Sequence, residues 1–433
     1  MLSRRETLRA LGAAGVAAPV LAACGDADPV GDPPASDSGL RLVKADVSRS
    51  AGDASAVADV VAAMGAFATD LWQQVGDTDD NLALSPCSIA TALAMTANGA
   101  AGATASQMLD VLHVDSLSTY NAGMAALTQE LAALAGPVRL RDGKNGTISL
   151  TSADQLFGDR SMTWRRAFLT VLAKQYGAGM YDVDFLRNAE GARAIVNHWT
   201  AGRTHDRIPE ILPEGAVDAS TRLVLVNALY FKAPWDIPFE KAATTEAAFH
   251  RAGGSTVQVP MMHGDAEGSA VYLEGRHFTG ARLPYRSGTL AMTVALPTAD
   301  HDAALAELLG RGGLTATSES PVAVTMPRWR YRIPTDLRGP LMSLGLTDAF
   351  DDGRADFSRM TSDERLHVSS VLHQTFVAVD EDGTEAAAAT AVAVADSAVA
   401  MSHTLVLDRP YLFVVHDTAH GTPLFVGRVA DPG

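Results

Sequence analysis

The sequence predicts an α+β fold. Helix-period segments gather early, short β-branched runs bounded by turn residues gather later, and no regular βαβ alternation joins them. The 433 residues are 47% hydrophobic, enough to bury a sizeable core and to exclude disorder throughout. A formal charge of −16 repels polyanions and predicts no basic face to neutralise phosphates, which excludes nucleic acid as a partner.

In chain order, Arg4, Arg5 and Arg9 precede an apolar run from Ala10 to Ala23, too short to span a bilayer but suited to an export signal. SRRETL carries paired arginines like a twin-arginine signal, and LAAC at 21–24 resembles a bacterial lipoprotein cleavage box. Residues 1–23 then read as the signal and Cys24 as the lipidated first residue; the other reading is an ordinary secretory signal with an incidental cysteine. Removing 1–23 takes away three arginines and one glutamate, so the exported chain carries −18. Residues 24–57 are rich in Gly, Pro, Asp and Ser and poor in large apolar residues, which predicts a flexible tether. Residues 58–433 show no repeat and no second linker, so they read as one domain.

Within that domain, Val60, Val61, Met64, Phe67, Leu71 and Trp72 recur at helical spacing and predict a helix ending near Gly76. Ser85–Asn98 opens with Ser and Pro and then runs apolar, as a buried helix does. The runs at 221–231, 289–297, 322–327 and 422–430 predict buried strands. Cys24 and Cys87 are the only cysteines, so no disulfide framework exists, and Cys87 reads as a buried free thiol.

Motifs for catalysis are absent: no HExxH, GxxxxGK, GxGxxG or GxSxG occurs. Ser85 in LSPCS lacks an elbow or an adjacent SxxK, which argues against a hydrolase. The 12 histidines, His113, His250 and His263 among them, lack ligand spacing, so neither a metal nor another cofactor is expected. Asn145-Gly146-Thr147 fits the N-glycosylation pattern and reads more simply as a turn.

The segment from Glu381 to Met401 stands apart. It is acidic at its start and then Ala, Thr and Val. At period two, one face carries Thr384, Ala386, Ala388, Thr390, Val392 and Val394, none charged or bulky, so that face can enter a sheet core. The opposite reading is a helix, since alanine has the best helix propensity.

EDGTEAAAAT at 381–390 resembles the hinge of the serpins, the stretch that folds into the central sheet once the exposed reactive loop is cut. NLALSPCSIATALAMTANGAAGATASQM (81–108) resembles the family's early helices and LVNALYFKAPWDIPF (225–239) its central strand. VPMM, LPY, MTVALP, LGLTDAF, ADFSRM and DRPYLFVV follow in the family's order, so the resemblance covers residues 58–433. It implies a serpin fold: three β-sheets, about eight or nine helices and an exposed reactive loop.

The resemblance also implies site residues. Ser85, Ser88, Asn227 and His373 match the shutter, a polar cluster under the point where the sheet opens; Trp235, Tyr285 and Glu381 match the breach at its top. The hinge comprises Gly383, Thr384, Glu385, Ala386, Ala387, Ala388, Ala389 and Thr390. Counting from Gly383 places the reactive bond at Ser397–Ala398, counting back from Pro410 favours Val399–Ala400, and Met401–Ser402 is a third option. None offers Arg or Lys to an acidic specificity pocket, which favours an elastase-like or subtilisin-like target over a trypsin-like one.

The implied activity is suicide inhibition. The protease serine forms an acyl-enzyme, the freed loop inserts as a new strand, and a covalent 1:1 complex results. A monomer, lipid-anchored through Cys24 to a bacterial envelope, is expected. The alternative is a non-inhibitory serpin acting as a carrier, against which the uncharged run Ala386–Ala395 argues. Three departures from the family pattern stand out: Tyr411 replaces Phe, Asp154 replaces Asn, and Pro410 lies 27 residues beyond Gly383, about two more than usual.

Overall fold

The structure is a computed structural model that describes residues 40–433, apart from 77–78, 265–269, 317–319, 364–365 and 386–402. The described residues begin with a short strand, β1 (Arg41–Val43), and then four helices: α1 (Val57–Val75), α2 (Pro86–Ala97), α3 (Gly102–Val111) and α4 (Leu117–Ala133), with β2 (Leu82–Leu84) before α2. There follow β3 (Gly136–Arg139), β4 (Asn145–Ser152), β5 (Gln155–Asp159), α5 (Arg166–Val171), β6 (Met180–Val183), α6 (Phe185–Arg203) and β7 (Leu223–Pro234). The next stretch holds β8 (Thr245–His250), β9 (Thr256–His263), β10 (Val271–Glu274), β11 (Phe278–Pro284), β12 (Leu290–Pro297), α7 (His301–Leu309), β13 (Val322–Pro327) and β14 (Trp329–Asp336). The chain closes with α8 (Arg338–Ser343), β15 (Ser370–Asp380), β16 (Gly383–Thr384), β17 (His403–Val406), β18 (Tyr411–Asp417) and β19 (Pro423–Val429).

The strands form three sheets. The largest has nine strands in the order β1-β6-β5-β7-β16-β15-β14, with β4 also on β7 and β3 on β4. A six-stranded sheet runs β10-β11-β12-β18-β19-β2, and a four-stranded sheet runs β17-β13-β9-β8. Eight α-helices accompany them among the described residues. The α+β class and the predicted strands agree with this arrangement, as β7, β12, β13 and β19 cover the four β-branched runs.

Local chemistry explains the elements that matter for the site. In α2, Ser85 is the N-cap, its hydroxyl accepting from the Ser88 amide, and Pro86 occupies the first turn, where its missing N–H costs nothing. Every residue of α2 is buried, so this helix is the packing core between the large sheet and the strands behind it. In α1, Val60, Met64, Phe67, Leu71 and Trp72 of the predicted stripe are buried, Val61 is half-buried, and Val57 joins the buried face. Cys87 is a buried free thiol whose ionisation burial pushes up, while Cys24 lies outside the described residues. Tyr411 is wholly buried in β18.

Two expectations need correction. The tether was expected to run to residue 57, but β1 pairs antiparallel with β6, and Asp53 caps the turn that leads into α1. Residues 41–57 therefore belong to the fold; the segment looks loop-like because its anchoring comes from partners, with Arg41 on the buried Asp182 carboxylate and the Ser50 amide on the Lys174 carbonyl at 2.7 Å. Asn145-Gly146-Thr147 is not a turn either. It opens β4, paired with β3, and the turn lies just before it, at Asp142 and Gly143 (φ +83°).

Candidate functional site

The seam of the large sheet lies between β7 and β15, which run parallel over six residue pairs from Ser370↔Val224 to Thr375↔Leu229. Asn227 and His373 face each other within this seam. The Ser85 amide donates to His373 Nε2 at 2.9 Å, which leaves the proton on Nδ1, where it is donated to Asn227 Oδ1. Burial pushes the His373 pKa down to about 4, against the pull of its bond to the Asn227 backbone, so the ring is neutral. The Ser88 amide donates to Ser85 Oγ at 3.3 Å and the Ser88 hydroxyl donates to Asp154. All four predicted shutter residues therefore meet in one network, anchored by the first turn of α2.

Asp154 extends that network. Its carboxyl group, at the break between β4 and β5, takes hydroxyl donors from both Ser88 and Ser152. Burial raises its pKa to about 7, with the two serine hydrogen bonds opposing the rise. The sequence marks Asp154 only as a departure from the family pattern, not as a member of the site.

Above the seam, the chain leaves β15 at Asp380, turns through Glu381 and Asp382, and re-enters the sheet as β16 between β7 and β15. Gly383 pairs with Pro234 and Asp380, and Thr384 with Ala233 and Val379. Only glycine fits at 383, because a Cβ there would lie 2.3 Å from the Ala233 carbonyl oxygen. Thr384 is fully buried, and its hydroxyl meets that of Tyr285 at 2.6 Å. The hinge was expected to enter the sheet after cleavage; its first two residues are already inside, because Tyr285 supplies a partner for the one polar atom Thr384 buries.

The predicted breach residues surround this point. Tyr285 stacks on Trp235 with ring centres 4.6 Å apart and planes 4° apart. Trp235 holds the turn twice, its backbone N–H donating to the Asp382 carbonyl and its indole N–H to the Asp380 carbonyl, each at 3.0 Å. Glu381 accepts from Thr244 at 2.8 Å and lies 3.6 Å from Arg328. Lys241 bonds Asp382 at 2.6 Å. Glu385 turns out of the strand with φ +48°, its amide on the Ala378 carbonyl at 2.7 Å and its carboxylate on Arg207. Arg207 and Lys241 carry no motif; only the closed structure shows them bonding hinge carboxylates.

Ala386, Ala387, Ala388, Ala389 and Thr390 lie outside the described residues, as do Ser397, Ala398, Val399, Ala400 and the Met401–Ser402 bond. Beyond them the chain is anchored by β17, parallel to β13, where the His403 ring stacks on Tyr272 at 3.9 Å. The described residues on either side, Glu385 and His403, thus lie at a wedge in the large sheet and at an edge of the four-stranded sheet.

Comparison with known proteins agrees with this geometry. The profile of the family described as serpin (serine protease inhibitor) matches residues 62–432. Mouse antithrombin-III is 34% identical over 378 residues, covering 84% of this chain and 80% of its own, and mouse leukocyte elastase inhibitor A is 32% identical over 379 residues, covering 84% and 97%. The thermophilic serpin tengpin in its native state superposes with a TM-score of 0.77 at 27% identity, covering 90% of this chain and 97% of its own. A highly specific serpin of the insect Tenebrio molitor gives 0.74 at 26% identity, covering 87% and 98%. With its three sheets, eight helices and hinge wedged into the large sheet, this chain belongs to the serpin family.

Proposed function

We propose that the protein is a suicide inhibitor of an elastase-like or subtilisin-like serine protease. The observation that carries this reading is the wedge: β16 is seated between β7 and β15, the sheet is closed below it by six pairs, and the residues from Ala386 through Ala395 are small and uncharged. Insertion continues a strand that has already begun. The protease serine oxygen attacks the reactive carbonyl, the peptide bond breaks, its nitrogen takes a proton, and the acyl ester remains on the inhibitor. Residues Ala386, Ala388 and Thr390 then follow Thr384 onto the buried face, and their burial and backbone pairing drive the ester-linked protease away from the loop's original site. Leukocyte elastase inhibitors among the relatives support the choice of target, as does the lack of Arg or Lys between 386 and 402.

The reading includes export, removal of residues 1–23, a lipid on Cys24 and a monomer that forms a 1:1 complex. Incubating the chain that starts at residue 24 with elastase, subtilisin and trypsin, followed by denaturing gels and intact mass, tests the inhibition. A denaturant-stable complex with one of the first two, and a released peptide beginning at Ala398 or Ala400, is the expected result. Clean cleavage by each protease with no complex would sink inhibition in favour of a carrier role. Replacing Cys24 by Ser is expected to move the protein from the membrane to the soluble fraction.

A further inference from the structure

The sheet edge where the described chain begins is rich in cations although the protein is acidic overall. Residues 160–179 hold Arg160, Arg165, Arg166 and Lys174 and no Asp or Glu. Residues 40–50 hold Arg41, Lys44 and Arg49 against the single carboxylate of Asp46. The fold brings these two stretches together. Lys44 donates to the Gly177 carbonyl at 2.6 Å, the Ser50 amide bonds the Lys174 carbonyl at 2.7 Å, and the Arg49 side chain lies along Gly177. The buried Asp182 carboxylate is neutralised by Arg41, and Glu130 on the neighbouring α4 is bonded to His420 at 2.8 Å. The net charge conceals this face because its two halves lie more than a hundred residues apart in sequence.

Apolar side chains are exposed on the same edge. Leu42, beside Lys44 over Gly179, is 38% exposed, Val47 is 39% exposed and Leu186, three residues past the strand that β1 joins, is 41% exposed. Among the described residues these are three of the five large hydrophobics exposed to solvent. Cations interleaved with exposed apolar groups suit a surface of anionic headgroups, where the ammonium and guanidinium groups meet phosphates and the apolar tips enter the acyl boundary. Acidic residues on distant faces weigh little, since charge is screened over about 10 Å.

We infer that this edge, centred on Leu42, Lys44, Val47, Arg49 and Lys174, docks on an anionic phospholipid surface and orients the inhibitor on its membrane. The inference rests on the reading that Cys24 is lipidated. The 16 residues from Cys24 to Gly39 reach at most about 55 Å and deliver the fold to the membrane at this edge. Docking puts a second, weak contact beside the anchor.

The test uses the chain from residue 24 with Cys24→Ser, so that no lipid contributes, and sedimentation with phosphatidylcholine vesicles made with or without phosphatidylglycerol. Binding is expected only with phosphatidylglycerol, to weaken as sodium chloride rises, and to fall at least about tenfold in the Lys44→Glu, Arg49→Glu, Lys174→Glu variant. Should that variant fail to fold, the Lys44→Gln, Lys174→Gln pair is expected to give a smaller loss in the same direction. Equal binding to both vesicle types, or binding unchanged by the folded variant, would overturn the inference. Lipid on Cys24 is read separately from the intact mass of the membrane-extracted protein, so failure of the anchor and failure of the docking face are told apart.

Discussion

At Asp154 a carboxyl group shares two serine hydroxyls beneath the sheet, and its pKa near 7 sets a pH dependence. The native state keeps a proton that the unfolded chain, with a pKa of 3.8, releases, so this stabilisation is full below pH 3.8 and is lost as pH rises through about 7. His373 and His416 act oppositely: held near 4 against 6.5, they stabilise above 6.5 and lose that contribution as pH falls through 4. Above 6.5, Asp154 alone of the three changes its contribution. Asp154→Asn is therefore expected to gain about 1–3 kcal/mol at about pH 8 and to flatten the loss of stability between about pH 6 and 8, as read by urea unfolding. A variant that tracks the native chain at both pH values would refute this. That Ser85, Ser88, Asn227 and His373 meet was legible in the sequence because motif context fixes them. The part played by Asp154 was not, because its pKa is set by desolvation among segments distant in the chain.

The hinge shows how an element depends on a single side-chain pair. Tyr285→Phe removes the partner of the buried Thr384 hydroxyl, which costs about 1–3 kcal/mol locally and is expected to loosen β16. Faster hydrogen exchange at the Glu385 amide, now held by the Ala378 carbonyl, would report it; unchanged exchange would show that the backbone alone seats the hinge. Farther along, Ala388→Asp would bury an unpaired carboxylate on the inserting face and slow insertion, so the variant is expected to be cleaved as a substrate with the native fold intact. A denaturant-stable complex at unchanged stoichiometry would count against it. Long periodic elements such as α1 and β7 were readable from apolar spacing. β1 was not, because three residues carry no period and its position comes from β6 and Asp182.

At the scale of the molecule, the seam between β7 and β15 is the feature that must yield on the proposed mechanism. Its six pairs hold two strands from distant parts of the chain, and a full inserted strand replaces them with pairing on both of its sides. Cleavage in the reactive segment is therefore expected to raise the thermal midpoint by more than about 10 °C, measured by calorimetry on the cut and uncut chain. An unchanged midpoint would mean that the cut loop stays outside. That three sheets form was legible through the family resemblance; that the hinge begins inside one of them was not, since it depends on whether Tyr285 and Trp235 meet the turn.

The Asn227–His373 contact across that seam has a use as a signal. Neighbouring strands lie about 4.8 Å apart, so a strand placed between β7 and β15 doubles the separation of these two residues and breaks the bond between their side chains. On the proposed mechanism, the Nδ1 proton of one buried imidazole then has two environments, one for the loop outside the sheet and one for the loop inserted. A single downfield resonance in solution would then count how many molecules still hold the loop outside.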